Sequence, residues 1–75
     1  MDDVVAEQIR AEMVANVLSL LVAAGDQVGA GQPVVIMESM KMEIPVLAEH
    51  GGTVTTVFVT EGDVVQEGDV MVELR

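Results

Sequence analysis

The chain contains no cysteine, tryptophan or tyrosine, and only one phenylalanine (Phe58), one histidine (His50) and one lysine (Lys41). The missing cysteines exclude disulfides and thiolate zinc sites. A single aromatic ring offers no platform on which several nucleobases could stack. Basic residues are scarce as well: 3 against 13 acidic ones, for a net charge of −10. Nucleic acid is therefore excluded as a partner, because binding it takes several Lys or Arg contacts to phosphate. An anionic membrane surface is disfavoured on the same ground. The acids read most simply as solvated charge that keeps an apolar chain dissolved and monomeric. Met1-Asp2-Asp3 has no basic region and no long apolar stretch precedes Arg10, so the N-terminus does not read as a signal peptide. The longest mostly apolar run, Met13 to Ala24, is too short to span a bilayer and is interrupted by Asn16 and Ser19. A cytoplasmic location is expected.

What is abundant is valine, at 16 of 75 positions. Valine is stiff at χ1 and suits a pleated, half-buried surface, which argues for strands. A chain of this length makes one small domain, residues 1–75, with a core that must be densely packed to be stable.

Displacing the chain by 37 residues aligns its two halves, with 9 identities in the 30 pairs from Ile9–Glu38 to Val46–Arg75. Gly25-Asp26-x-Val28-x-x-Gly31 falls on Gly62-Asp63-x-Val65-x-x-Gly68, in register with Ala11-Glu12 on Ala48-Glu49. Each half reads as a strand (Val14–Val22 or Gly52–Val59), a Gly-Asp turn and a very short strand around Val28 or Val65. A second turn at Gly31 or Gly68 follows, and then a closing strand, Pro33–Glu38 or Val70–Leu74. The expected architecture is all-β: a flattened barrel or sandwich of two roughly four-stranded antiparallel sheets with internal pseudo-two-fold symmetry. An amphipathic helix over Val4–Leu21 is the local alternative, opposed beyond residue 10 by the β-branched matching segment Val54–Val59. Residues 1–7 are expected to be irregular or flexible.

Between the halves lies Ser39-Met40-Lys41-Met42-Glu43-Ile44. Pro33 to Leu47 is too long for one strand, whose usual range is about 3–10 residues, so a turn is expected near its middle. Tight hairpins normally use Asn-Gly or Asp-Gly, and Met-Lys-Met breaks that preference. A local rule broken in an otherwise consistent sequence marks a place where a side chain is needed more than an ideal turn. Lys41 could still be an ordinary surface lysine and Met40 and Met42 core fillers. Methionines on both sides of a turn residue cannot easily point inward, however, which favours a recognition surface.

Glu38-Ser39-Met40-Lys41-Met42 resembles the biotinyl attachment motif of biotin carboxyl carrier domains, usually Glu-Ala-Met-Lys-Met. The resemblance extends over nearly the whole chain. Gly25-Asp26-x-Val28-x-x-Gly31-Gln32 looks like the first turn of that family, and Ile44-Pro45-Val46-x-Ala48 like the strand after its lysine. It is nearest to short, free-standing biotinylated proteins of the actinobacterial type. Ser39 stands where alanine is usual, and Ala11-Glu12-Met13-Val14-Ala15 where relatives often have Ala-Pro-Met-Pro-Gly. The short spacing from Val22 to Val28 leaves no room for the "thumb" loop of some carriers.

The resemblance implies a non-catalytic carrier. Biotin would be joined to Lys41 by a biotin protein ligase that reads Glu38, Met40, Met42 and Glu43. The arm would then move a carboxyl group from a biotin carboxylase to a carboxyltransferase. Gly25, Asp26, Gly31, Gly62, Asp63 and Gly68 would shape the turns. No catalytic set and no metal site is expected, and His50 reads as a turn or surface residue. Lipoyl carriers are the first rival, but they generally have Asp before the lysine and a small residue after it, unlike Met40 and Met42. A module acting through protein contacts alone and an enzyme with its own active site are the others. The acceptor of the carboxyl group is not encoded in this chain.

Overall fold

Val, Ile and Thr recur with alternating burial, and the chain answers with eight strands and, among the described residues, no helix. The computed structural model describes residues 7–75. The strands are β1 (Glu7–Arg10), β2 (Ala15–Leu20), β3 (Gln27–Gly29) and β4 (Pro33–Ser39) in the first half. The second half supplies β5 (Met42–Leu47), β6 (Gly51–Val57), β7 (Val64–Val65) and β8 (Val70–Leu74). The 37-residue displacement carries each of β1–β4 onto its counterpart in β5–β8. The irregularity expected for residues 1–7 lies outside the described residues except at Glu7. That residue opens β1 instead, paired with Leu74 and tied down through its carboxylate.

Two four-stranded antiparallel sheets form the sandwich, and each draws strands from both halves. Sheet I has the order β1-β8-β6-β3 and sheet II the order β5-β4-β2-β7. The displacement turns one order into the other, which is the expected pseudo-two-fold symmetry. Backbone hydrogen bonds repeat with it. Val17 N–H donates to Asp63 O at 2.8 Å and Val54 N–H to Asp26 O at 2.8 Å; Gly31 N–H donates to Ala48 O at 2.7 Å and Gly68 N–H to Ala11 O at 2.8 Å. These bonds cross between the halves, so each half closes the other's ladder.

The irregularities repeat too. Pairing skips Leu18 against β4 and the equivalent Thr55 against β8. It skips Val34 against β5 and the equivalent Met71 against β1. A bulge of this kind lets two consecutive residues face one side, which strict alternation forbids. Val34-Val35 and Met71-Val72 are accordingly all fully buried. The core is built from Val17, Val28, Val34, Val35, Met37, Val54, Val65, Met71, Val72 and Leu74, with Ile9 and small alanines, and no polar residue is buried among the described residues. Each fully buried valine or leucine there contributes about 1.5–3 kcal/mol relative to exposure.

Candidate functional site

The β4–β5 hairpin closes through two residues, Met40 and Lys41, because Ser39 pairs directly with Met42. The turn is thus Met40-Lys41, and Met42 belongs to the strand. Both turn residues have positive φ, 53° for Met40 and 65° for Lys41. This is the backbone of a two-residue turn whose twist matches its strands, and it normally selects Asn-Gly for its left-handed positions. In an L-residue the left-handed region brings Cβ against the following carbonyl at a cost of about 1–2 kcal/mol. These are the only non-glycine residues with positive φ among those described. The remaining left-handed positions are glycines, such as Gly25 and Gly62 in the two Gly-Asp turns, each with φ 96°.

The turn leaves its side chains in solvent. Met40 is 88% exposed, Met42 is 60% exposed, and Lys41 is exposed. Among the described residues no hydrogen bond or ion pair holds the Lys41 ammonium. Glu38 and Glu43 face each other one residue further along the ladder, one on each strand. With Lys41 they are the only charged residues between Pro33 and Leu47. Ser39 Oγ reaches the Val14 carbonyl at 3.5 Å, a weak tie from the hairpin to the start of β2.

Three residues beside the hairpin were not singled out from the sequence. Val14, Asn16 and Val64 border a shallow depression of ≈ 280 Å³ with Glu38, Met40 and Lys41. Asn16 pairs with Glu38 on one side and Val64 on the other. The displacement shows which segments are alike, but not that β7 crosses to pair with β2, so these neighbours carry no signal in the sequence. A larger depression, ≈ 680 Å³, lies along the seam between the edge strands β1 and β5, lined by Ile9, Met37, Ile44 and Val46 among others. It sits where the two sheets fail to pair, and Lys41 does not border it.

The turn residues named from the sequence hold the scaffold. Asp26 Oδ2 accepts from Ala23 N–H and Asp63 Oδ2 from Thr60 N–H, both at 2.9 Å. At the second turns, Gln32 Oε1 accepts from Gly29 N–H at 3.0 Å and Asp69 Oδ2 from Gln66 N–H at 2.8 Å. His50 is exposed in the turn before β6, where its amide meets a carboxylate that lay in the ambiguous N-terminal stretch. Glu7 accepts from the amides of Glu49 at 2.8 Å, His50 at 3.0 Å and Gly51 at 3.3 Å. Partial burial pushes the Glu7 carboxyl up, but the three amide donors and nearby His50 outweigh it and hold the group below its ordinary value.

The same fold recurs in solved structures of two carboxylases. Over all of this chain it superposes on part of Kluyveromyces lactis urea carboxylase with a TM-score of 0.88 and 32% identity. A single-chain, multi-domain long-chain acyl-CoA carboxylase matches 92% of it with a TM-score of 0.82 and 31% identity. The chain spans 6% and 7% of those large proteins. It is 56% identical to the biotinylated protein TB7.3 homolog of Mycobacterium leprae, over 88% of this chain and 93% of that one. It is 52% identical to the biotin/lipoyl attachment protein of Bacillus subtilis, over 84% of this chain and 86% of that one. The family model described as biotin-requiring enzyme matches residues 5–74. A 37-residue repeat, two interlocked sheets and a lysine at a strained hairpin tip thus come together in a chain that belongs to the biotin/lipoyl family.

Proposed function

We propose that this chain, acting as one domain, is a biotin carrier whose attachment point is Lys41. The observation that carries the reading is the one lysine of the chain, displayed in solvent at a turn whose backbone would favour Asn-Gly. The residues there fit an amide-linked biotin. The Lys41 amine is exposed with no described partner to release, and Met40 and Met42 offer apolar contact on either side. The chain carries and does not catalyse.

Loading is the work of a biotin protein ligase, which reads Glu38, Met40, Met42 and Glu43 around the lysine. An ammonium has no lone pair for attack, so the ligase takes a proton from Lys41 before its Nζ displaces AMP from activated biotin. Biotin held on Lys41 would supply reversible carboxyl-carrying chemistry. The protein's part is to present it on a long, pivoting stem from a rigid sandwich, at high local concentration near its partners. Those partners are carboxylase components: a biotin carboxylase and a carboxyltransferase. The domain works in the cytoplasm and is monomeric when isolated, as its charge of −10 favours.

Intact mass after co-expression with an active biotin ligase tests the assignment. One biotinyl increment is expected on the wild type and none on Lys41→Arg, with the fold of both unchanged. A lipoyl increment, or biotin retained by the variant, would overturn it.

A further inference from the structure

Sulfur is placed unevenly in this chain. There is no cysteine, so methionine is its sole carrier. Two of the described methionines lie in the core, Met37 at 1% exposed and Met71 at 0%. The 37-residue displacement sets them on Leu74 and Val34, so they stand where ordinary aliphatic side chains also serve. Met13 is 39% exposed. The two that protrude furthest, Met40 at 88% and Met42 at 60%, flank Lys41. Apart from Met13, the other large apolar side chains exposed to solvent are Val14, Leu18, Leu21, Leu47, Phe58 and Val64. None of those six carries a sulfur. Accessible thioethers are therefore concentrated at the one hairpin that holds the lysine.

Burial divides the thioethers by reactivity. A peroxide must bring an oxygen onto a sulfur lone pair, and the close-packed core around Met37 and Met71 blocks that approach. Met40 stands clear on a turn residue with φ 53°, and Met42 opens β5 two residues on. The reaction is an oxygen transfer. Sulfur attacks one peroxide oxygen, the O–O bond breaks, and the thioether becomes a sulfoxide while the peroxide is reduced to water. A dithiol reverses the step: its sulfurs join as a disulfide and the oxygen leaves as water. The sulfoxide is polar and chiral where the thioether was apolar, which spoils contacts made through methionine. Neither side chain belongs to the core, so the sandwich tolerates the change.

We propose that Met40 and Met42 form a reversible oxidation site that closes the hairpin tip to biotin attachment when peroxide is present. This rests on the carrier reading above, in which the ligase reads both residues. The test exposes the apo chain to hydrogen peroxide, stops the reaction with catalase and maps added oxygen by peptide mass. Met40 and Met42 should take oxygen at least about tenfold faster than Met37 and Met71, with the strand signal in circular dichroism unchanged. Loading by a biotin ligase is then followed, each protein being compared with its own untreated form. The ratio of treated to untreated kcat/KM should fall at least about fivefold for the wild type and for Met13→Leu. For Met40→Leu/Met42→Leu it should fall less than about twofold, because the apolar bulk remains and the sulfur is gone. Methionine sulfoxide reductases for both epimers, supplied with a dithiol, should restore the wild type. Oxygen spread evenly over exposed and buried methionines would overturn the proposal. So would an equal loss in the double leucine variant, or a loss that the reductases leave in place. Untreated wild type that takes no biotin would sink the carrier reading itself; wild type that loads equally well before and after oxidation would sink only the redox site.

Discussion

At one end of sheet II, β4 and β5 are joined by Met40-Lys41; at the equivalent place in sheet I, β8 and β1 pair in the same way but no turn joins them. Met37 faces Ile44 in the first pair, and Leu74 faces Glu7 in the second. The ladder therefore does not need the hairpin. The Gly-Asp turns, by contrast, occur twice with matching bonds. What the two halves share is scaffold, and what only one possesses is free to serve chemistry. The left-handed backbone at Met40 and Lys41 belongs to the second kind, a local cost retained for the side chains it displays.

The strongest way to break the comparison is to give the tip its structural optimum. Met40→Asn/Lys41→Gly should raise stability by about 1–2 kcal/mol, read as a higher Tm, while biotin loading falls to zero. An unchanged or lower Tm would mean that the tip is not strained. Next in size, the shared turns should respond alike. Asp26→Ala and Asp63→Ala each remove one bond to a turn amide and should each cost about 1 kcal/mol in urea unfolding. Costs differing by more than about twofold would show that the repeated geometry conceals unequal energetics.

The smallest effect concerns Glu7, which has no counterpart because Ile44 stands in its place. Its carboxyl lies below the ordinary value of 4.5 when folded. A group depressed in this way contributes stability that is complete above its unfolded value and is lost as pH falls through the folded one. Glu7→Ala should therefore cost about 0.5–1 kcal/mol at pH 7, a solvent-facing carboxylate being discounted, and the difference from wild type should shrink as pH falls through the ordinary carboxylate range and vanish once the folded carboxyl is protonated. A difference that persisted in acid would assign the effect to packing of β1.

Much of this was legible in the sequence because the repeat is written in residues with strong local preferences. Gly25-Asp26 and Gly62-Asp63 announce turns, valine announces strands, and the odd Met-Lys turn announces a site. The interlocking was not legible. A repeat tells which segments are alike but leaves open whether β7 pairs within its own half or crosses to β2. The bulges at Val34 and Met71 were equally hidden, since a run of apolar residues does not say which of them escapes alternation. Glu7 was missed because one acid in a polar stretch carries no periodic signal. Its value comes from three amides that lie more than 40 residues away.

Sheet I cannot be completed until β8 has been synthesised, and sheet II, whose strands end with β7, lacks until then the Met71, Val72 and Leu74 of the core it packs on. During translation the Met40-Lys41 segment leaves the ribosome well before Val70–Leu74, yet it lacks the framework that would hold it in a left-handed turn. The hairpin should then remain an unshaped segment until the last strand docks. Attachment of the cofactor becomes a certificate of finished folding: a ribosome-stalled chain ending before Val70 should take no biotin, and one extended past Arg75 should take it at the rate of the released protein.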